Sequence, residues 1–123
     1  MEPIITFSTA KLAVEKIGRG PIRRGFGAKF YHPRTQNLLW DGRTGRCNVN
    51  SLYPAHTQVA LQRYLREKYY VVVSVYSPSK GYYIGTSISF NRELGYFRTS
   101  SVAFTSWEEA LESTLVLTLN LLP

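Results

Sequence analysis

The chain has 123 residues, a net charge of +7, and 44% hydrophobic against 19% charged residues. This composition excludes a disordered chain and predicts one globular domain over residues 1–123. The single cysteine, Cys47, excludes an internal disulfide, and the two histidines, His32 and His56, have no zinc-ligand spacing, so we expect no metal and no cofactor. Glu2 stands where a signal peptide needs positive charge, and no apolar run of membrane-spanning length is present. We therefore expect a cytoplasmic protein with no membrane partner.

The excess positive charge lies in one stretch of the sequence. Between Lys16 and Arg46 there are eight basic residues and one acidic residue, Asp41, so this stretch carries the whole net charge of +7. An anionic partner should bind here. The alternative is a charged surface that only keeps the protein in solution.

The first fifty residues predict a short helix followed by a basic β-hairpin. Ser8 is a good N-cap and Gly18 a good terminator, which together predict a helix of about ten residues. An aromatic-rich segment at 26–31, a turn at Pro33 and an apolar segment at 38–40 predict the two strands of the hairpin.

From Pro54 onward the pattern predicts the order α-β-β-β-α. A helix should run from Pro54 or Thr57 to Lys68, because apolar residues recur there at helical spacing. In residues 69–75, Tyr69, Val71, Val73 and Val75 form one apolar face, and the high content of β-branched residues predicts a strand. A third strand is predicted at 96–104.

The second strand of this unit follows a turn in the sequence PSKG. One set of alternating residues is apolar and the other is small or polar, and the alternation predicts a sheet with one buried face. We expect the apolar set to be the buried one. Its members are Tyr82, Ile84, Ile88 and Phe90, and they alternate with Tyr83, Gly85, Ser87 and Ser89.

The last helix is marked by a capping box at Ser106 and Glu109 and by an apolar stripe that ends at Leu122. Apolar residues outside that stripe predict a helix end that is buried on two sides or makes a subunit contact. The complete prediction is an α+β fold with a central antiparallel sheet. Residues 1–50 form a helix and a basic hairpin, and residues 54–123 form the α-β-β-β-α unit.

Three segments resemble a family of small proteins encoded in bacterial genomes, prophages and phages. In that family a "TAKLA" helix, a "PTQ...LQ.WLRE" helix and an "EEAL" helix recur in this order. The corresponding segments here are FSTAKLAVEKIG at Phe7–Gly18, PAHTQVALQRYLREKYYVVVSV at Pro54–Val75 and SWEEALESTLVLTLNLL at Ser106–Leu122. Tyr64 stands at the usual tryptophan position, and the basic stretch is the largest departure. The resemblance implies a bacterial or phage origin, and it adds no catalytic residue because the family has no established activity.

Known nucleic-acid and catalytic motifs fit poorly. The α-β-β-β-α order is that of a double-stranded-RNA-binding domain, but the last helix begins with Glu108 and Glu109, which repel phosphate. RGFGAKFY at 24–31 partly matches an RNA-recognition signature, yet too few residues precede it for that fold. No catalytic signature surrounds Cys47, His32, His56 or Asp41. Glu108 and Glu112 lie one helical turn apart, as a catalytic acid and base could, but solvated charges in the first turn of a helix are the ordinary explanation. We therefore expect no enzyme.

Binding remains as the predicted function. We expect a non-catalytic nucleic-acid-binding accessory protein of a phage or mobile element. The alternative is a protein-interaction module, either a homo-oligomer formed through the apolar C-terminal helix or an effector that binds a host protein. The residues predicted to neutralise phosphates are Arg19, Arg23, Arg24, Lys29, Arg34, Arg43 and Arg46, and those predicted to stack on bases are Tyr31 and Trp40.

Two further interpretations of the aromatic residues stay open. The aromatic residues of the hairpin could instead form its buried side, with the charged residues of the hairpin facing water. A second candidate surface is the sheet face opposite the last helix. On that face we expect Tyr70, Tyr76 and Tyr83 beside Ser74, Ser87 and Ser89. The alternative is that the N-terminal unit covers this face.

Overall fold

A computed structural model describes residues 3–18, 29–40 and 52–123 of the chain. These residues form an α+β fold, as the sequence predicts, and from the second helix onward they follow the predicted order α-β-β-β-α. The helices are α1 (Phe7–Ile17), α2 (Gln58–Tyr69) and α3 (Trp107–Leu121). The strands are β1 (Lys29–Tyr31), β2 (Leu38–Trp40), β3 (Tyr53–Pro54), β4 (Val71–Ser79), β5 (Tyr82–Ser89) and β6 (Arg98–Ser100).

The described strands lie in two antiparallel sheets, ordered β2-β1-β3 and β4-β5-β6. The first contains the predicted hairpin, in which Phe30 pairs with Leu39. The short strand β3, which the sequence did not predict, extends this sheet through the pairing of Phe30 with Pro54. In the second sheet, β4 and β5 pair along most of their length and β6 adds a short outer edge.

Helix α1 begins earlier than predicted and ends where predicted. Its N-cap is Thr6 and not Ser8, because the Thr6 hydroxyl accepts a hydrogen bond from the backbone N–H of Thr9 at 3.3 Å. At the other end Gly18 has a φ of 71°, and its N–H donates to the carbonyl of Val14. A positive φ of this kind favours glycine, which explains the stop.

The caps of the other two helices follow local sequence signals. Thr57 caps α2 by accepting from the N–H of Ala60 at 3.0 Å. Ser106 caps α3 by accepting from the N–H of Glu109 at 3.1 Å, as the capping box predicts. The C-cap of α2 is Tyr70, a non-glycine residue in the left-handed conformation with a φ of 56°.

Helix α3 lies at the centre of the core. The apolar residues outside its predicted stripe do not form a second buried side at the helix end, because Leu117 and Leu121 are exposed, and a subunit contact through them stays a prediction. Leu111, Leu115 and Leu119 are buried among the side chains of α1, α2 and β4. Toward the second sheet, α3 presents the buried hydroxyls of Thr114 and Thr118. All three described helices and one face of the second sheet therefore share a single hydrophobic cluster.

The prediction for β5 is wrong about which set of side chains is buried. Gly85, Ser87 and Ser89 are buried against α3, whereas Ile84 and Ile88 are only half-buried, on the other side of the sheet. Phe90, which follows the strand, is 62% exposed.

Close approach of the helix is the physical reason for this reversal. A Cβ atom placed on Gly85 would lie 1.7 Å from Oγ1 of Thr114 and 3.0 Å from the carbonyl oxygen of Ala110. Next to this contact, the hydroxyls of Thr118 and Ser87 form a buried hydrogen bond of 2.8 Å. Only small residues fit beneath α3, and the larger ones face outward.

Candidate nucleic-acid interface

Part of the predicted basic site can be placed in the structure. Arg19, Arg23, Arg24, Arg43 and Arg46 lie outside the described residues. Lys29 is the first residue of β1 and pairs with Trp40 at the end of β2. Arg34 is exposed in the turn between these two strands. The hairpin thus brings Lys29 and Trp40 together in register, with Arg34 at its other end.

Tyr31 is engaged in packing. Its hydroxyl donates to the carbonyl of Ile5 at 2.6 Å, and its ring meets that of Phe7 edge-on at 5.8 Å between centroids. Burial, together with the nearby carboxylate of Glu112, raises the pKa of the Tyr31 phenol. These contacts match the alternative in which the hairpin aromatics face inward, and base stacking by Tyr31 stays a prediction.

Glu112 holds three segments of the chain together. Its Oε2 atom accepts from the N–H and the hydroxyl of Thr6, both at 3.1 Å, and from the hydroxyl of Thr9. Its Oε1 atom accepts from Nε2 of Gln58 at 2.9 Å, and the same amide donates to the carbonyl of Glu108. A carboxylate at the N-terminus of α1 is also favoured by the helix dipole. The sequence placed Glu112 among solvated first-turn charges, and its partners lie too far away along the chain for local spacing to reveal them.

The second sheet has one face that the helices contacting it do not cover. Buried Val71, Val73 and Val75 of β4 face the helices, so the alternate residues of each strand project to the opposite side. We call that side the open face. Its residues are Val72, Ser74, Tyr76, Ile84, Thr86, Ile88, Arg98 and Ser100.

The register of the strands orders the open face into rows. One row is Val72, Ile88 and Arg98, and the next is Ser74, Thr86 and Ser100. In the third row Tyr76 pairs with Ile84. The hydroxyls of Ser74 and Thr86 lie 2.9 Å apart in a hydrogen bond.

Exposed aromatic rings stand at both ends of the open face. Tyr76 is 49% exposed at one end. At the other end, the N–H of Phe90 donates to the carbonyl of Tyr70 at 2.9 Å, and these two side chains are 62% and 63% exposed. The segment from 70 to 92 contains the cations Lys80 and Arg92 and no acidic residue.

The second surface predicted from the sequence is partly confirmed. Ser74 and Tyr76 lie on the open face, with Tyr70 at its end. Ser87 and Ser89 face α3 instead, and Tyr83 does the same, since its ring meets that of Trp107 at 6.2 Å. Placing these three residues on the open face was wrong. For Ser87 and Ser89 the reason is the one given for β5, whereas the ring of Tyr83 packs beside the first residue of α3, away from the close contact at Gly85.

Within the described ranges there is no helix long and apolar enough to cross a membrane. The same residues contain no group of three or more histidine, cysteine or acidic side chains placed to hold a metal ion. Comparison with known proteins finds no matching family model, curated protein or solved structure. The resemblance to the phage and prophage family therefore stays a prediction.

Proposed function

We propose that this protein binds nucleic acid without catalysis, as a cytoplasmic accessory protein of a phage or mobile element. The observation that carries the proposal is the distribution of charge. From Gln58 to Ser106 there are six cations and two carboxylates, which leaves a net charge of +4 on α2 and the second sheet. The cations are Arg63, Arg66, Lys68, Lys80, Arg92 and Arg98, and the carboxylates are Glu67 and Glu93.

The remaining carboxylates of the C-terminal half are collected in α3. Glu108, Glu109 and Glu112 all belong to its first two turns, and the hydrogen bonds from Thr6, Thr9 and Gln58 hold Glu112 at the start of α1. Because only two carboxylates, Glu67 and Glu93, occur from Gln58 to Ser106, an approaching polyanion meets little repulsion from this part of the chain. Phosphate neutralisation with release of counterions is the main source of affinity for such a surface.

The hydrogen bonds made by His32 and Glu112 also support a binding role. Nδ1 of His32 accepts from the N–H groups of Arg34 and Thr35, at 3.1 and 3.3 Å, which shapes the turn of the hairpin. Both carboxylate oxygens of Glu112 accept hydrogen bonds from structural partners. General acid-base catalysis needs imidazole or carboxylate groups, and here the imidazole of His32 and the carboxylate of Glu112 make hydrogen bonds that stabilise the fold.

The test is fluorescence anisotropy with a labelled oligonucleotide over a salt series. We expect binding that weakens steeply with salt, with a slope of about −0.9 in log–log terms for each duplex phosphate neutralised. Changing Arg23, Arg24 and Arg43 together to glutamate should abolish binding. The matched control changes the same three residues to lysine, which preserves the charge and should preserve the salt slope. If the wild-type protein is retained neither on heparin nor by mixed oligonucleotides at low salt, the proposal is refuted.

A second candidate function is a homo-oligomer formed through α3. The observation in its favour is that Leu117 and Leu121, one turn apart on this helix, are 36% and 49% exposed. Light scattering after gel filtration should then show a dimer that Leu121→Asp dissociates. A strict monomer that captures no partner protein would count against this candidate.

A further inference from the structure

We propose that the open face binds single-stranded nucleic acid, with unpaired bases stacked on the aromatic rings at its two ends. This inference rests on the proposed function and goes beyond it by naming the surface and the class of ligand. It is carried by the exposure of the rings, the hydroxyls between them and the charge of the surrounding segment.

The aromatic rings are placed as a stacking platform requires. Tyr76 lies on β4 and Tyr70 immediately precedes the first residue of that strand, and the stretch from Val71 to Tyr76 spans about 17 Å in an extended strand. Both rings are about half exposed or more, and so is Phe90 beside Tyr70. Bases stack on exposed aromatic faces only when they are free of their own duplex, so this arrangement suits a single strand of several nucleotides.

Tyr70 has an unusual backbone for an aromatic residue. Its φ of 56° lies in the left-handed region that glycine adopts with least strain, and its side chain is 63% exposed. The burial of its ring therefore does not explain why a tyrosine stands here. Residues held in such conformations cluster at functional sites. Contact between the Tyr70 ring and a ligand would explain why a tyrosine occupies this position.

The centre of the open face offers hydrogen bonds and one positive charge. Ser74, Thr86 and Ser100 form a row of hydroxyls between the apolar rows, and hydroxyls can both donate to and accept from base edges. Arg98 is exposed at the β6 end of its row, where its guanidinium can contact a phosphate or stack on a base. No acidic residue belongs to the open face, so nothing on it repels the backbone of a strand.

Duplex recognition is less well supported by the same structure. In the double-stranded-RNA-binding arrangement the start of the last helix grips phosphates, and here that position holds Glu108 and Glu109, which are both exposed. Their charge favours a ligand bound on the opposite side of the sheet from α3.

The experiment compares two labelled probes, an oligothymidylate strand and a mixed-sequence duplex of equal length, with oligouridylate as the RNA arm. We expect the single strands to bind at least tenfold more tightly than the duplex. Tyr76→Ala should weaken single-strand binding by roughly tenfold, since a stacked base is lost, whereas Tyr76→Phe should retain it. Arg98→Gln should lower the salt slope by about 0.7, the value for one phosphate of a single strand.

The matched control is Trp107→Ala. Trp107 is 45% exposed, close to the 49% of Tyr76, but it lies on the α3 side of the sheet, so single-strand affinity should not change. Thermal melting of each variant checks that the fold is intact. Equal affinity for strand and duplex, unchanged affinity in Tyr76→Ala, or a dimer that closes the open face would overturn the inference and leave the proposed function standing. If the wild type binds no probe at low salt, the proposed function itself fails.

Discussion

Replacing Gly85 by alanine tests the close approach of α3 to β5 on which the fold depends. A new Cβ would lie 1.7 Å from Oγ1 and 2.8 Å from Cβ of Thr114, and 3.0 Å from the carbonyl oxygen of Ala110. Ordinary contacts of this kind need at least about 3.5 Å. Rotation of the Thr114 side chain could remove the first conflict, but it would break the 2.7 Å hydrogen bond that the Thr114 hydroxyl donates to the carbonyl of Ala110. The other two conflicts would remain.

The strand has little freedom to move away. The N–H of Gly85 donates to the hydroxyl of Ser101 at 3.0 Å, and its carbonyl accepts from the N–H of Ser101 at 2.8 Å. The helix must therefore shift, and overpacking of this kind costs about 1–3 kcal/mol. We expect a loss near the upper end of that range, because two of the three close contacts cannot be relieved by a side-chain rotation.

The assay is urea unfolding followed by circular dichroism, with Thr114→Ala and the double variant measured alongside. In the double variant the shortest conflict is gone, so the combined loss of stability should be smaller than the sum of the two single losses. If α3 did not approach β5 closely, Gly85→Ala would instead stabilise the protein by about 0.4–1 kcal/mol through the entropy of the unfolded chain. An unchanged or raised unfolding free energy would refute the reasoning.

Three other predictions concern stability. Glu112→Ala should lower the unfolding free energy by about 2–3 kcal/mol, because hydrogen-bond donors from α1 and α2 lose a charged acceptor. The control is Glu108→Ala, at an exposed position of the same helix, which should change the unfolding free energy by less than about 0.5 kcal/mol. Equal losses in urea titrations of the two variants would contradict this prediction. The pKa of Tyr31 is raised in the folded state by burial and by Glu112. The stability that this phenol contributes is therefore complete below its unfolded pKa of about 10 and is lost as pH rises through its folded pKa. Chemical unfolding at rising pH should show this loss of stability, and Tyr31→Phe should make the loss smaller. Tyr70→Gly should raise the melting temperature or leave it unchanged, because glycine relieves the left-handed backbone, while single-strand binding weakens; a clear drop in melting temperature would contradict that expectation.

Elements defined by local signals were predictable from the sequence. The cap at Ser106 and the alternation of β4 need only neighbouring residues to be recognised, and the structure confirms them. Of the two starts predicted for α2, Pro54 and Thr57, the structure has the helix begin directly after Thr57. The same holds for the end of α1 at Gly18, where a positive φ favours glycine.

Features that depend on distant residues were not predictable in this way. In β5 the apolar residues looked like the buried set, but the distance between α3 and the sheet decides which set fits, and that distance is set by Thr114 and Thr118. The N-cap of α1 moved to Thr6 because Glu112, 106 positions away, supplies its hydrogen-bond partner. The open face was foreseen only where β4 carries it, at Ser74 and Tyr76.

The link between Thr6 and Glu112 also has a consequence for synthesis on the ribosome. Helix α1 is made first, yet its first turn is completed by a side chain from α3, and the Nζ atom of Lys16 near its end donates to the carbonyl of Leu122 at 3.1 Å. Contacts of such large sequence separation form slowly, because a long loop must close before they are gained. We therefore expect the nascent chain to stay without its final core until α3 has left the exit tunnel, so that folding is a late and concerted event rather than a progression from the N-terminus.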